Sequence, residues 1–236
     1  MRYQIITKDN GWGLSHDIRV LRAALQELRP GCEVDFCEWR QPKQKPARHY
    51  DVNFYLEEIL DHRFSVQARL NVLIPNPEWF AAVQNLRYID QVWAKTHDCE
   101  EIFGARHKDV RYLGWTSEDR LLSEAVKAHG LIHIAGDSNA KGTLAVIDAM
   151  RIASNHAMTL VSRKDWGSLP SNVVQFKGMG NLELQFNQNV TMVHLCPSSY
   201  EGFGHYINEA RSVGAVIITT NAAPMNELVT KDIGFG

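Results

Sequence analysis

Residues 196–209 read Cys196-Pro-Ser-Ser-Tyr-Glu201-Gly-Phe-Gly204-His-Tyr-Ile-Asn-Glu209. An apolar run, Met192–Cys196, leads into the stretch, and an amphipathic run, Gly204–Val213, leads out of it. We read a buried strand, a glycine-containing turn and a helix. Gly202 and Gly204, on either side of Phe203, let backbone approach a ligand closely. The unpaired N–H groups at a helix start attract an anion such as a diphosphate. Glu201 and Glu209 are separated by about 12 Å if both lie on a helical path rising ~1.5 Å per residue. That distance suits a ligand with hydroxyls on both sides of a diphosphate. The plainer alternative makes Glu201 a helix cap and Glu209 a solvated helix residue.

The same alternation continues outward in both directions. Toward the N-terminus, strands are predicted at Arg2–Thr7, Glu33–Glu38, Val52–Leu56, Leu70–Pro75, Ile89–Ala94 and Val110–Leu113. Helices are predicted at His16–Leu28, with Ile18, Leu21, Leu25 and Leu28 on one face, at Glu78–Asn85, and from a Thr96 cap through Phe103. After Gly114-Trp-Thr-Ser117 the pattern restarts. Strands follow at Leu131–Ala135, Met158–Ser162, Val173–Phe176, Met192–Cys196 and Ala215–Thr219, with helices at Gly142–Ala153 and Gly204–Val213 and a last one starting at Pro224–Val229. Strands alternating with helices imply parallel sheets covered on both faces. The restart implies two Rossmann-like domains with a cleft between them, residues 1–114 and 118–236. The second is short for such a domain, and a closing strand and helix are expected beyond Gly236.

Composition excludes several classes. The 236 residues are 44% hydrophobic and 22% charged, which excludes global disorder and coiled coil. A net charge of −2 argues against bulk electrostatic binding of nucleic acid. No apolar run reaches the roughly 20 residues of a membrane span, and Met1–Thr7 is too short and too soon polar for a signal peptide. Cys32, Cys37, Cys99 and Cys196 are read as reduced thiols of a cytoplasmic protein. Cys32 and Cys37 lack the second pair that a zinc site needs. The stretch Arg40–His49, with Arg40, Lys43, Lys45 and Arg48, reads as an exposed basic loop, with peripheral contact to an anionic membrane as the functional alternative.

Residues 192–229 resemble the donor-binding signature of retaining GT-B-fold glycosyltransferases of the glycogen-synthase-like family (family 4, group 1 type). The resemblance is carried by Pro197-Ser198, Glu201-Gly202-Phe203-Gly204, Glu209-Ala210, Gly214, the strand to Thr219, and Glu227. It implies a nucleotide-sugar donor, with Glu209 on ribose hydroxyls and Glu201 on the hydroxyls of a hexose-type sugar. A second match is His133-Ile-Ala-Gly136-Asp-Ser-Asn-Ala-Lys141-Gly142-Thr143. In the family this loop supplies an Arg and a Lys to the diphosphate. Lys141-Gly142 matches the Lys-Gly pair, while Asp137 or Ser138 stands near the place of the Arg. Lys141 and Glu201 are therefore the catalytic candidates. Gly136, Gly142, Thr143, Gly202, Phe203, Gly204 and Glu209 are the donor-binding ones. No Asp-x-Asp pair occurs, which agrees with the metal-independent class, and no cofactor is implied.

The N-terminal half matches more faintly. Asn10-Gly11-Trp12-Gly13 resembles the glycine-rich loop of the acceptor domain, and Val72–Trp79 and Val92–Thr96 are also similar to segments of such proteins. Gly11, Gly13, His16, Asn76 and Glu78 are the acceptor candidates, for an acceptor that is a carbohydrate, a lipid or a small molecule. No catalytic His is carried over, because Asn76 and Glu78 occupy its neighbourhood. Trp79 and Trp115 are read as core residues more readily than as stacking platforms. Two other functions stay open: a non-catalytic nucleotide- or sugar-binding module, and an NAD-dependent oxidoreductase using Gly11-Trp-Gly13 with Asp35 or Glu38. Chain order predicts that removing Glu201 spares the free nucleotide while removing Glu209 weakens nucleotide and donor alike.

Overall fold

A computed structural model describes residues 1–11, 13–38 and 49–230. Trp12, the basic stretch Arg40–Arg48 and the terminal Gly234-Phe235-Gly236 lie outside the described residues. The chain divides into two compact units, Met1–Ser117 and Glu118–Gly236.

The first unit holds β1 (Arg2–Thr7), α1 (Gly13–Leu28), β2 (Glu33–Glu38), β3 (Tyr50–Glu57), β4 (Ala68–Pro75), β5 (Gln91–Ala94), α2 (His97–Gly104) and β6 (Val110–Tyr112). Its six strands are all parallel, in the order β2-β1-β3-β4-β5-β6. Alternating side chains fill both faces. Tyr3, Ile5, Val52, Phe54, Val72 and Ile74 meet Leu14, Ile18 and Leu21 of α1. Ile6, Tyr55, Leu73 and Val92 meet Cys99 and Phe103 of α2. Leu28 is exposed, so the apolar face of α1 stops at the half-buried Leu25. The Thr96 hydroxyl accepts from the Cys99 N–H and caps α2 as predicted. The helix expected at Glu78–Asn85 is instead a 3-10 turn at Val83–Tyr88, and a second 3-10 turn, His62–Gln67, precedes β4.

The second unit holds β7 (Ala128–Gly136), α3 (Thr143–Ile152), β8 (Met158–Ser162), β9 (Val173–Phe176), α4 (Asn181–Val190), β10 (Thr191–Cys196), α5 (His205–Ser212), β11 (Val216–Thr219) and α6 (Met225–Leu228). The five strands are parallel in the order β11-β10-β7-β8-β9. Val146, Ile147 and Met150 of α3 pack on Ala135, Met158 and Leu160. No described helix is long and apolar enough to cross a membrane.

Each sheet has one place where the strand order reverses, between β1 and β3 in the first and between β7 and β10 in the second. At such a switch point the loops leaving the two strands diverge to opposite faces. They leave a crevice outside the carboxyl ends where ligands bind in open parallel sheets.

Candidate functional site

The switch point of the second sheet lies where the two sequence motifs meet. The loop leaving β7 carries Gly136 to Gly142, and the loop leaving β10 carries Pro197 to Gly204. The two loops are fastened together: the Ser199 N–H donates to the Ala140 carbonyl at 2.8 Å. Gly142 is left-handed (φ +70°), and a Cβ there would stand 2.2 Å from the Pro197 carbonyl oxygen. Only glycine satisfies both the turn and that contact. Gly204 is left-handed too (φ +77°), with Ile207 and Leu228 crowding the space a side chain would need.

These two glycines are the N-caps of α3 and α5, and neither helix start is capped by a side chain. The partial positive charge of both helix N-termini therefore faces the switch point. Lys141 precedes Gly142 at the end of a short 3-10 turn whose cap is Ser138. Its Nζ lies 2.5 Å from Glu201 Oε1 and 3.8 Å above the centre of the Tyr206 ring. The Ser198 hydroxyl donates to the same Oε1 and also bonds the Tyr206 hydroxyl at 2.6 Å. Lys141, Ser198, Glu201 and Tyr206 thus form one polar cluster across the two loops. Both predicted catalytic residues belong to it, paired with each other. Tyr206 joins it without having been singled out, and Ser198 joins it having been named only as part of the motif.

Other predicted residues support this cluster. His133 on β7 is buried; its Nδ1–H donates to the Leu195 carbonyl at 2.7 Å, and its Nε2 accepts from the Thr143 hydroxyl at 3.0 Å. Burial lowers its pKa to about 4, so the ring is neutral at pH 7. Thr143 therefore turns its hydroxyl toward β7. Phe203 is buried edge-on to His205, Gly202 is buried, and Gly136 is left-handed in open space. Glu209 is not a solvated residue. It is buried in α5, and its Oε2 accepts from Gln188 Nε2 at 2.8 Å. Gln188 Oε1 in turn accepts from Arg120 Nε at 3.0 Å, and the rest of that buried guanidinium binds Asn181. Arg120 and Gln188 carried no motif, and only the fold reveals them.

In the first unit, the acceptor candidates all lie at the carboxyl edge of the sheet. Gly11 lies between β1 and α1, Gly13 opens α1, and His16 is half-buried in its first turn. Asn76 and Glu78 follow β4, half-buried. Asn76 is drawn into a network through Lys95 and Glu57. Trp79 is 64% exposed, against the expectation of a core role, whereas Trp115 is half-buried with its Nε1–H donating to Asp17 at 2.7 Å.

No family model and no curated protein matches the chain. Solved structures do. The chain is similar to sucrose-phosphate synthase from Thermosynechococcus elongatus, with TM-score 0.76 and 14% identity over 99% of this chain and 85% of that one. It is similar to WaaG, a glycosyltransferase involved in lipopolysaccharide biosynthesis, with TM-score 0.63 and 13% identity over 100% and 85%. It is also similar to UDP-GlcNAc 2-epimerase from Neisseria meningitidis bound to UDP-GlcNAc, with TM-score 0.59 and 11% identity over 97% and 85%. The fold is GT-B. A synthase, a glycosyltransferase and an epimerase share it, so the reaction must be argued from the site.

Proposed function

We propose that the chain is a glycosyltransferase that moves a hexose-type sugar from a nucleotide sugar to an acceptor, with retention and without a metal on the leaving group. Residues 118–236 would hold the donor and residues 1–114 the acceptor. One observation carries this reading: Lys141 and two helix N-termini without side-chain caps converge on the switch point of the second sheet. Such a set of donors binds a diphosphate and stabilises the negative charge that grows on it as it leaves. Glu209, its rotamer held by Gln188, would accept hydrogen bonds from the ribose. Glu201 would accept them from the sugar. The bond from the anomeric carbon to the phosphate oxygen breaks on the face where the acceptor oxygen bonds. The departing phosphate takes the acceptor's proton.

The test is nucleoside-diphosphate binding. UDP, GDP or ADP should raise the melting temperature of the chain, since a ligand of the native state stabilises it by mass action. Lys141→Ala should weaken the best of them by about 10- to 150-fold, the roughly 1.5–3 kcal/mol of a charged hydrogen bond. An unchanged dissociation constant by calorimetry would remove the diphosphate from this site.

A second reading, a nucleotide-sugar-binding protein that transfers nothing, is favoured by the Lys141–Glu201 ion pair, which already neutralises the cation. Release of free nucleotide from the donor, followed by phosphorus NMR, separates the two readings.

A further inference from the structure

The switch point of the first sheet, between β1 and β3, carries a polar cluster that the donor chemistry does not use. Lys8 follows β1, Glu57 ends β3, and Asn76 follows β4. Glu57 Oε1 lies 2.7 Å from Lys8 Nζ, and Oε2 accepts from Asn76 Nδ2 at 3.3 Å. Among the described residues, Glu57 is the only one other than glycine with a left-handed backbone (φ +70°). A residue with a Cβ adopts that conformation only where its surroundings impose it, and such positions cluster at functional sites.

A deeper tier holds the cluster in place. Asn76 Oδ1 accepts from Lys95 Nζ at 2.9 Å, and Lys95 Nζ lies 2.5 Å from Asp17 Oδ2. The Lys95 and Asp17 side chains are 1% and 2% exposed. A buried ion pair of this kind costs nearly as much in lost hydration as it returns, so its effect is orientation more than stability. Three residues beyond Asn76, in the same turn, stands the exposed Trp79; its N–H donates to the Asn76 carbonyl at 3.1 Å. An exposed indole in the turn that carries the Asn76 amide, itself bonded to the Glu57 carboxylate, matches the chemistry of a sugar ring. The C–H face of the ring is apolar, and its rim carries hydroxyls that donate and accept. Lys8, the cation beside Glu57, is committed to it, and Glu58 adds a second acidic group. This edge therefore suits hydroxyls and not phosphate.

We propose that the turn Asn76–Trp79, with Glu57 and Lys8, binds a neutral saccharide whose ring stacks on Trp79 and whose hydroxyls bond Glu57 and Asn76. The inference rests on the glycosyltransferase reading only in calling this saccharide the acceptor.

Saturation-transfer NMR on the full chain without nucleotide tests it. The probes are neutral hexoses and their disaccharides, with hexose 6-phosphates as the charged arm. At least one neutral saccharide should receive saturation, strongest at the C–H protons of one ring face. Trp79→Ala should weaken its binding about fivefold or more, and Glu57→Gln by about tenfold or more. Nucleoside-diphosphate affinity should stay within about twofold in both. Because Trp79 is exposed, Trp79→Ala keeps its melting temperature and reports on binding alone. No response from any neutral saccharide, a response from the phosphates only, or equal binding by both variants would overturn the proposal. Saccharide binding by a chain that binds no nucleotide would uphold this site and sink the glycosyltransferase reading; nucleotide binding without a saccharide response would do the reverse.

Discussion

Glu201→Gln should make the chain bind a free nucleoside diphosphate more tightly. In the structure Lys141 Nζ is 2.5 Å from Glu201 Oε1, and the two side chains are 20% and 11% exposed. A diphosphate that needs Lys141 must compete with that carboxylate. A hydrogen bond between charged groups contributes roughly 1.5–3 kcal/mol, and one to a neutral amide roughly 0.5–1.5 kcal/mol. Glutamine still accepts from Lys141, so the competition eases by about 1–1.5 kcal/mol, or about 5- to 13-fold in affinity. The intact donor should respond in the opposite sense, since its sugar loses a charged acceptor. Titration calorimetry with the best-bound diphosphate and its nucleotide sugar reads both changes. In a Lys141→Ala background the gain should vanish, because the two groups act as a pair. Chain order alone forecasts that Glu201 is silent toward free nucleotide; the ion pair replaces that forecast with a gain. Unchanged or weaker diphosphate binding in Glu201→Gln would refute the argument.

Glu209→Ala should lower the unfolding free energy by about 1.5–3 kcal/mol, because Gln188 loses its carboxylate partner beside buried Arg120. Glu209→Gln, which keeps an acceptor, should hold the melting temperature and still lose nucleotide affinity by calorimetry. Gly142→Ala should cost more than about 2 kcal/mol in denaturant unfolding, from the left-handed backbone plus the Pro197 clash; Gly136→Ala, left-handed in open space, should cost less. Burial holds His133 and His194 near pKa 4, below the ordinary 6.5, so the unfolded chain takes up protons first as pH falls. Stability present above pH 6.5 should then be lost down to about pH 4, by about 3 kcal/mol for each ring. The double variant His133→Gln, His194→Gln should flatten that fall in thermal melts, and an equally steep fall would remove the two histidines as its cause.

Three of the four strands that sequence reading located to the residue, β1, β8 and β9, bury apolar side chains; β2 has only half-buried and exposed residues. The predicted limits of β1, β2, β8 and β9 coincide with the observed ones. The strand–turn–helix at residues 192–212 was legible because its glycines do work that other residues cannot. Helix α4 was not legible, and the reason is physical. Its buried residues are Gln188 and Asn189, while Leu182 and Phe186 are 79% and 54% exposed. Asn189 donates to the Arg120 carbonyl at 2.7 Å and accepts from the Leu122 N–H at 2.8 Å. The polar side faces in because it must satisfy Arg120, and an apolar period misreads such a helix. The same limit hid Asp17 and Lys95. Each looks like a surface charge in sequence, and they meet across 78 positions.

At the second sheet's switch point the charges are arranged before any ligand is present, and the arrangement has a consequence for exchange. Lys141 is held between the Glu201 carboxylate and the Tyr206 ring. The pairing confines the ammonium to one rotamer, which lowers the entropy lost when an anion replaces the carboxylate. A single carboxylate added from solution offers Lys141 no more than Glu201 already does. A diphosphate bound as proposed would offer more, because its further oxygens would reach the N–H groups at the starts of α3 and α5. On this reading Glu201 would select for polyanions that span both helix starts, and against single carboxylates. In the proposed donor complex its Oε1, displaced from Lys141, would accept from the sugar that follows the diphosphate. Competition by citrate and acetate against the bound diphosphate checks this step. Acetate should be silent in the parent and compete in Glu201→Gln; equal competition in both would show that the carboxylate does not guard the lysine.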